Sequence, residues 1–311
     1  MQKYVVGVGA ANVDVHARSA GAIVMRDSNP GKITTSSGGV TRNIMENLAR
    51  LGARGYMISA LGDDVFGDKI RADAQAAGLD ISRSLTVKGA RSSCYTAVVD
   101  EGGDMFVAAS DMSIVKNLTP QFLDLNKELI QGAAAVVTDG CLAPELMRHL
   151  VCETARGVPV FADAVSTSYA RTIEGLLGEF YAIKPNRMEL AVLAGMPVES
   201  DRELELAADA VIARGVQKLF VSLGERGCYY ASASGERVYR ALKPVENMTN
   251  ATGGGDAFTA AAVFAHINGF DTQKTLDYAL AAGIVAISSE STINPEMSAR
   301  LIEKTIEENR I

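Results

Sequence analysis

Short β-branched runs alternate with longer stretches of helical periodicity along most of this 311-residue chain, and that alternation restricts the fold more than any other feature. Residues 4–8, 56–60, 134–138, 159–162, 181–183 and 218–222 read as core strands. Helical spacing marks 40–51, 66–77, 144–156, 187–194, 203–214, 256–268, 272–288 and 298–309. A chain with this rhythm buries its strands in a mostly parallel sheet sandwiched by helices, an α/β fold. Two segments break the rhythm. Residues 13–35 and 82–112 carry strand-like alternation without an intervening helix, as in Cys94-Tyr-Thr-Ala-Val-Val99, and predict a small β-layer, a lid over a site. The competing reading is a set of ordinary edge strands.

Asn250-Ala-Thr-Gly-Gly-Gly-Asp256 places three glycines and one carboxylate where a helical pattern begins. Unpaired N–H groups and the positive end of the dipole make such a position an anion cradle, and glycine lets a phosphate approach the backbone. A carboxylate beside a bound phosphate is unfavourable unless it takes a proton from a hydroxyl that attacks that phosphate. The stretch therefore points to phosphoryl transfer. Its structural alternative is a tight turn with Asp256 as the helix cap.

Composition narrows the classes. With 48% hydrophobic residues the chain can bury a large core, as one large α/β domain or two smaller ones. No run of eighteen apolar residues occurs and the N-terminus moves straight into a strand-like run, which predicts a soluble, cytoplasmic protein with no membrane partner. Four scattered cysteines and three histidines lack metal-ligand or disulfide spacing. A formal net charge of −7 opposes binding to a nucleic-acid backbone, so small molecules are the expected ligands.

Other constellations gather at strand ends. Gly7-Val-Gly9-Ala-Ala-Asn12 lacks the third glycine of a dinucleotide fingerprint and is followed by strand, not helix. Asn12 and Asp14 instead form an amide and carboxylate pair at the edge where open α/β sheets bind ligands, suited to vicinal sugar hydroxyls. Ser37-Gly38-Gly39-Val-Thr-Arg-Asn43 opens the next helix, with Asn43 one turn beyond Gly39. Asn186 and Glu189 have capping-box spacing after a strand. Ser222-Leu-Gly224-Glu-Arg-Gly227 either admits a nucleotide or makes a hairpin turn. No P-loop sequence and no G-x-S-x-G elbow is present.

Taken in order and spacing, Asn12/Asp14, Gly38-Gly39 with Asn43, Leu48-Ala-Arg-Leu-Gly52, Gly62-Asp-Asp-Val-Phe-Gly67, Lys184-Pro-Asn186 with Glu189, Ser222-Leu-Gly224 with Gly227, and Thr252-Gly-Gly-Gly-Asp256 resemble the ribokinase-like carbohydrate kinase family. The resemblance spans residues 4–295. Within the family the likeness is greatest to the pseudouridine kinase branch, through Asp27-Ser-Asn-Pro-Gly-Lys-Ile33, Gly38-Gly-Val-Thr-Arg-Asn-Ile44, Ala162-Asp-Ala-Val-Ser166, Lys184-Pro-Asn-Arg187 and Ser289-Glu-Ser-Thr-Ile-Asn-Pro295. It implies one ribokinase-like domain over 1–311, a three-layer α/β/α sandwich with a β-lid, and ATP- and Mg2+-dependent phosphorylation of the 5′-hydroxyl of a nucleoside. The substrate implied is pseudouridine, with another ribose nucleoside, a free sugar or keto-sugar acid, or a non-catalytic sensor as alternatives.

By the same resemblance Asp256 is the catalytic base and Gly253, Gly254 and Gly255 form the anion hole. Asn12, Asp14, Gly39 and Asn43 would contact the substrate, and Asn186, Glu189, Ser222, Gly224 and Gly227 the nucleotide and magnesium region. Asn29, Tyr95, Asp139 and Asp163 are further candidates, each with a structural role as an alternative. Two residues depart from the family pattern: Gly254 replaces an alanine, and Asn250 replaces a carboxylate that helps to position a monovalent cation, which leaves K+ dependence open. Edge-like lid strands predict a homodimer formed through the lid.

Overall fold

Val5, Val6 and Val8 lose all contact with solvent because β1 (Tyr4–Val8) runs inside a sheet covered on both faces. The computed structural model describes residues 3–243 and 252–309. After β1 the chain forms β2 (Asn12–Ser19) and β3 (Gly31–Gly38), then α1 (Val40–Arg50), β4 (Arg54–Ile58), the short β5 (Ala60–Gly62) and α2 (Val65–Ala76). β6 (Leu85–Val87), β7 (Ser93–Val99) and β8 (Met105–Asp111) precede two short helices, α3 (Pro120–Asp124) and α4 (Lys127–Gln131). Strand and helix then alternate: β9 (Ala135–Asp139), α5 (Pro144–His149), β10 (Val160–Asp163), α6 (Thr167–Ile173), β11 (Ala182–Lys184), α7 (Arg187–Ala194), α8 (Asp201–Ala213) and β12 (Lys218–Ser222). A hairpin of β13 (Cys228–Ser232) and β14 (Arg237–Arg240) follows, then α9 (Gly254–Asn268), α10 (Thr272–Ile287) and α11 (Ala299–Asn309).

The main sheet has the order β14-β13-β12-β11-β10-β9-β1-β4, parallel from β12 to β4 and antiparallel through β13 and β14. Side chains of β1 alternate between two cores. Val6 and Val8 join Leu146, Leu190 and Leu204 on one face, while Val5 joins Leu48, Ala261 and Ala282 on the other. Each sealed aliphatic side chain contributes about 1.5–3 kcal/mol of transfer free energy, which fixes the helices as outer layers.

A separate four-stranded sheet, ordered β3-β2-β7-β8, is built from the two segments that break the rhythm. β2 pairs antiparallel with β3 but parallel with β7, because the chain passes through β4, α2 and β6 before it returns. Most expected elements stand within one or two residues of their sequence bounds. The expected helix 144–156 is an α-helix only to His149 and continues as a π-turn over Leu150–Thr154. The helix expected to start at 203 begins at Asp201, where Ser200 and Glu203 close a capping box. The short α6, capped by Ser166, carries too little apolar periodicity to announce itself.

α1 holds an ion ladder beneath its buried face. Glu46 accepts from Arg42 and, at 2.7 Å, from Arg50 Nη2, and Arg42 and Glu46 are both buried. Loss of the carboxylate strands the Arg42 guanidinium in a site where burial already lowers its pKa. Glu46→Ala is therefore expected to cost about 3–5 kcal/mol in urea unfolding. A loss under about 1 kcal/mol would show that the ladder carries no stability.

Candidate functional site

Three neighbouring parallel strands end in ionisable residues, and the register puts them in one row: Asp139 opposite Asp163, and Asp163 opposite Lys184. This is the carboxyl edge of the sheet, where open α/β folds bind ligands. The first turn of α1 meets the row at Asp139, whose Oδ2 accepts from the Thr41 N–H at 3.0 Å and the Thr41 hydroxyl at 2.6 Å. Burial pushes the Asp139 carboxyl up in spite of these bonds. Asp163 pairs with Lys184 at 3.1 Å and accepts from the Thr259 hydroxyl of α9 at 3.2 Å. Both carboxylates thus anchor helices, α1 at its first turn and α9 at its second.

On the β2 side, Asn12 Nδ2 donates to Asp14 Oδ1 at 2.6 Å. Burial raises the Asp14 pKa and the Asn12 bond opposes that rise. Gly38 leaves room for this carboxylate: a Cβ there would stand 2.2 Å from Asp14 Oδ2. Gly39 precedes α1 at φ 100°, and a Cβ on it would meet the Ala10 carbonyl oxygen at 2.5 Å. Asn43 follows one turn later. Its side-chain oxygen takes a bond from Arg42 at 3.2 Å, which aims its amide nitrogen at Asp256 Oδ2, 2.9 Å away. The bond joins residues 213 positions apart.

Asp256 is the third residue of α9, so it does not cap the helix; Gly253 stands at the cap with φ 83°. A Cβ on Gly253 would lie 1.9 Å from the Thr292 carbonyl oxygen, so only glycine fits. Burial and then the charge of Asp163 push the Asp256 carboxyl up to about 7, against the pull of Asn43 and Lys184. Gly254 and Gly255 open the helix with their N–H groups free of partners inside it.

Gly254 and Gly255 also line a cavity of about 410 Å³ with Ser222, Gly224 and Gly227. Its far wall is apolar, made by Leu242, Phe258, Leu280 and Ile284. The turn after β12 serves as hairpin connection and cavity edge at once, since Gly227 at φ 82° packs against the Arg240 carbonyl. Asn186 and Glu189 lie beside this wall and not in it. They close the capping box of α7, with Glu189 Oε2 accepting from the Asn186 N–H at 2.8 Å and Oε1 from its side chain at 2.8 Å. Asn186 bridges to Ser222 in the sheet, so the box positions the cavity's rim.

Asn29 is exposed on the β2–β3 loop and bonds its own loop through Val24. Tyr95 stands opposite Asp14 in the four-stranded sheet. Asn250 lies outside the described residues. Lys184 was singled out in the sequence only as a motif neighbour, and Gly283 not at all. A Cβ on Gly283 would approach the Gly254 carbonyl oxygen to 3.4 Å, and a lone glycine inside an apolar helical run was its only signal.

Residues 2–299 match the pfkB family carbohydrate kinase pattern. Among characterised sequences, the pseudouridine kinase of Escherichia coli K12 is 33% identical over 98% of this chain and 96% of its own length. An uncharacterised E. coli sugar kinase, YeiI, is 32% identical over 96% of this chain and 82% of its own. A crystal structure from Clostridium perfringens, described as a candidate sugar kinase, superposes with TM-score 0.88 at 30% identity, covering 99% of this chain and 96% of that one. Arabidopsis thaliana ribokinase, complexed with ribose and ATP, has the same fold at TM-score 0.86 and 22% identity, covering 98% and 99%. No helix among the described residues is long and apolar enough to cross a membrane. The chain belongs to the pfkB family of carbohydrate kinases, phosphotransferases that act on an alcohol group.

Proposed function

We propose that this kinase transfers the γ-phosphoryl group of ATP to the 5′-hydroxyl of a nucleoside, pseudouridine first among them, as a cytoplasmic enzyme. The observation that carries the reading is the Asn43–Asp256 bond, which joins the sugar-facing end of α1 to the carboxylate at the glycine turn. ATP supplies the phosphoryl group, and Mg2+ comes with its phosphates. The residues fit both. The 410 Å³ cavity offers an apolar wall for a base and two glycine turns that a Cβ would fill, and it ends at the free N–H groups of α9. Among the described residues no group of three or more His, Cys, Asp or Glu could hold a metal by itself, which suits an ion carried largely by phosphate oxygens and water.

In this reading Asp256 takes the hydroxyl proton, Asn43 aims the carboxylate, and the amides of Gly253, Gly254 and Gly255 neutralise charge on the transferred group. Asp14, braced by Asn12, accepts from the ribose 2′- and 3′-hydroxyls, with Gly39 giving backbone access. The four-stranded sheet carries Asp14 and acts as the lid that excludes water. The 33% identity to a pseudouridine kinase supports that nucleoside over its alternatives.

ADP release with a panel of nucleosides, ribose and keto-sugar acids tests the substrate. Pseudouridine should turn over fastest and its 2′-deoxy analogue should bind about tenfold or more weakly, the effect of one lost hydrogen bond to a charged group. Equal affinity for the deoxy analogue, or no ADP with any nucleoside, would remove this reading, and the panel repeated without K+ answers the question posed by Asn250.

Asp256 must be ionised to accept a proton. Since its carboxyl is pushed up to about 7, kcat/KM should rise as pH passes through about 7, level off above, and fall below as the base becomes protonated. Asp256→Asn should lower kcat by about 10²–10⁴-fold and leave nucleoside affinity within about threefold. Near-normal turnover in the variant would assign the base elsewhere.

The homodimer through the lid is part of the same proposal. Ile33, Ala17, Val98 and Val107 pair in one row across the sheet, on the face opposite Asp14, and Ile33 and Val107 are exposed. Light scattering should give twice the chain mass, and Val107→Lys should halve it. A monomer at millimolar concentration would refute this interface.

A further inference from the structure

We propose that Lys184 is a catalytic residue, an ammonium that contacts the transferring phosphoryl group alongside the glycine amides. The inference builds on the kinase reading above but concerns a residue that reading does not use.

The placement comes from the sheet itself. Lys184 is the last residue of β11, and its register partner on β10 is Asp163. The ammonium pairs with Asp163 Oδ2 at 3.1 Å, and the two side chains are 11% and 4% exposed. A lysine this enclosed is costly unless carboxylates surround it. Here burial works against the charge, and Asp163, Glu189 and Asp256 together more than offset it, so the pKa is raised and the group stays charged.

Its direction is set by a glycine. Gly255 has an ordinary helical backbone, so no left-handed φ explains it. A Cβ at Gly255 would stand 3.0 Å from Lys184 Nζ, which is, among the described residues, the one atom from outside this turn of the helix within 4 Å of that position. The missing side chain therefore lets the ammonium face the first turn of α9, beside the N–H groups of the anion cradle and next to Asp256. Asp163 occupies one flank of the ammonium and leaves donors over for an anion at the other. Thr259, bonded to both Asp163 and the Gly255 carbonyl, ties the pair to α9.

The step balances without further reactants. The acceptor oxygen forms a bond to the γ-phosphorus and the bond to the β,γ-bridging oxygen breaks. Its electron pair stays on ADP, and the hydroxyl proton passes to Asp256. Negative charge on the three equatorial oxygens then meets the α9 amides and the Lys184 ammonium together, and the ammonium is stationary throughout. The other groups that face Asp256 are Asp163 from β10, Asp139 from β9 and Asn43 from α1. Of these the carboxylates repel an incoming phosphate, so the ammonium also shields it from them.

Binding of Mg-ADP and of Mg-β,γ-methylene-ATP by calorimetry, without any acceptor, tests the contact directly. In Lys184→Met the methylene analogue should weaken by about 10–100-fold, the equivalent of one charge-assisted hydrogen bond, while ADP stays within about threefold. With an acceptor that the wild type phosphorylates, kcat should fall by about 10²–10³-fold with the acceptor KM little changed. The rise of kcat/KM with pH should move above its wild-type position, because a cation that favours ionised Asp256 is gone. If the variant does not fold, the Asp163→Asn/Lys184→Met double variant removes the stranded carboxylate and the same nucleotide comparison decides. A wild-type ratio of the two affinities in a folded variant would overturn the proposal. A wild type that phosphorylates no acceptor would instead defeat the kinase reading and leave the binding result standing.

Discussion

Parallel strands that end together bring whatever residues they end with into one row, and here that row is Asp139, Asp163 and Lys184. Two carboxylates about one strand spacing apart, removed from water, repel each other unless each finds a compensating partner. The fold answers with helix starts and one cation. Asp139 receives the Thr41 amide and hydroxyl at the head of α1, and Asp163 receives Lys184 and, in the second turn of α9, Thr259. These bonds fix where two helix N-termini stand, and so they fix where an anion can be held. The remainder of the site follows: once α1 and α9 are seated, Asn43 and Asp256 meet at 2.9 Å.

Much of this was legible from the chain. Strand ends gave Asp14, Asn186 and Ser222 their neighbourhood, and the glycine turn at 253–255 marked the head of α9, because these features depend on local backbone demands that a sequence states openly. Gly253 and Gly39 show why: positive φ and a carbonyl within 2.5 Å admit no side chain. The capping box of Asn186 and Glu189 was also readable, and it braces the strand that carries Ser222.

What the chain did not show was pairing across large separations. The partnership of Lys184 with Asp163 depends on the register of β10 against β11, a one-residue matter that strand propensity does not fix. The glycine at 255 reads in the sequence as one of three alike in the turn, yet its backbone is plain helix and a Cβ on it would stand 3.0 Å from an ammonium of another strand. Likewise Gly283 lies against the Gly254 carbonyl across two helices, a neighbour that local sequence does not announce. Such reasons become visible only when both partners are in place.

The two halves of the site also differ in how firmly they are held. Asn43, Asp139, Asp163 and Lys184 sit on the main sheet and on the helices packed against it, among side chains sealed from water. Asp14 sits on β2, in the four-stranded sheet whose outer strand β8 is exposed along its length. In the proposed mechanism the charge-handling residues stay fixed while the sheet that bears Asp14 closes and opens, which accords with the few sealed side chains of β2 and β8. Rigid electrostatics with a movable cover is the arrangement that phosphoryl transfer requires, because oriented dipoles stabilise charge only if they do not reorganise, and water must be excluded before the phosphorus is attacked.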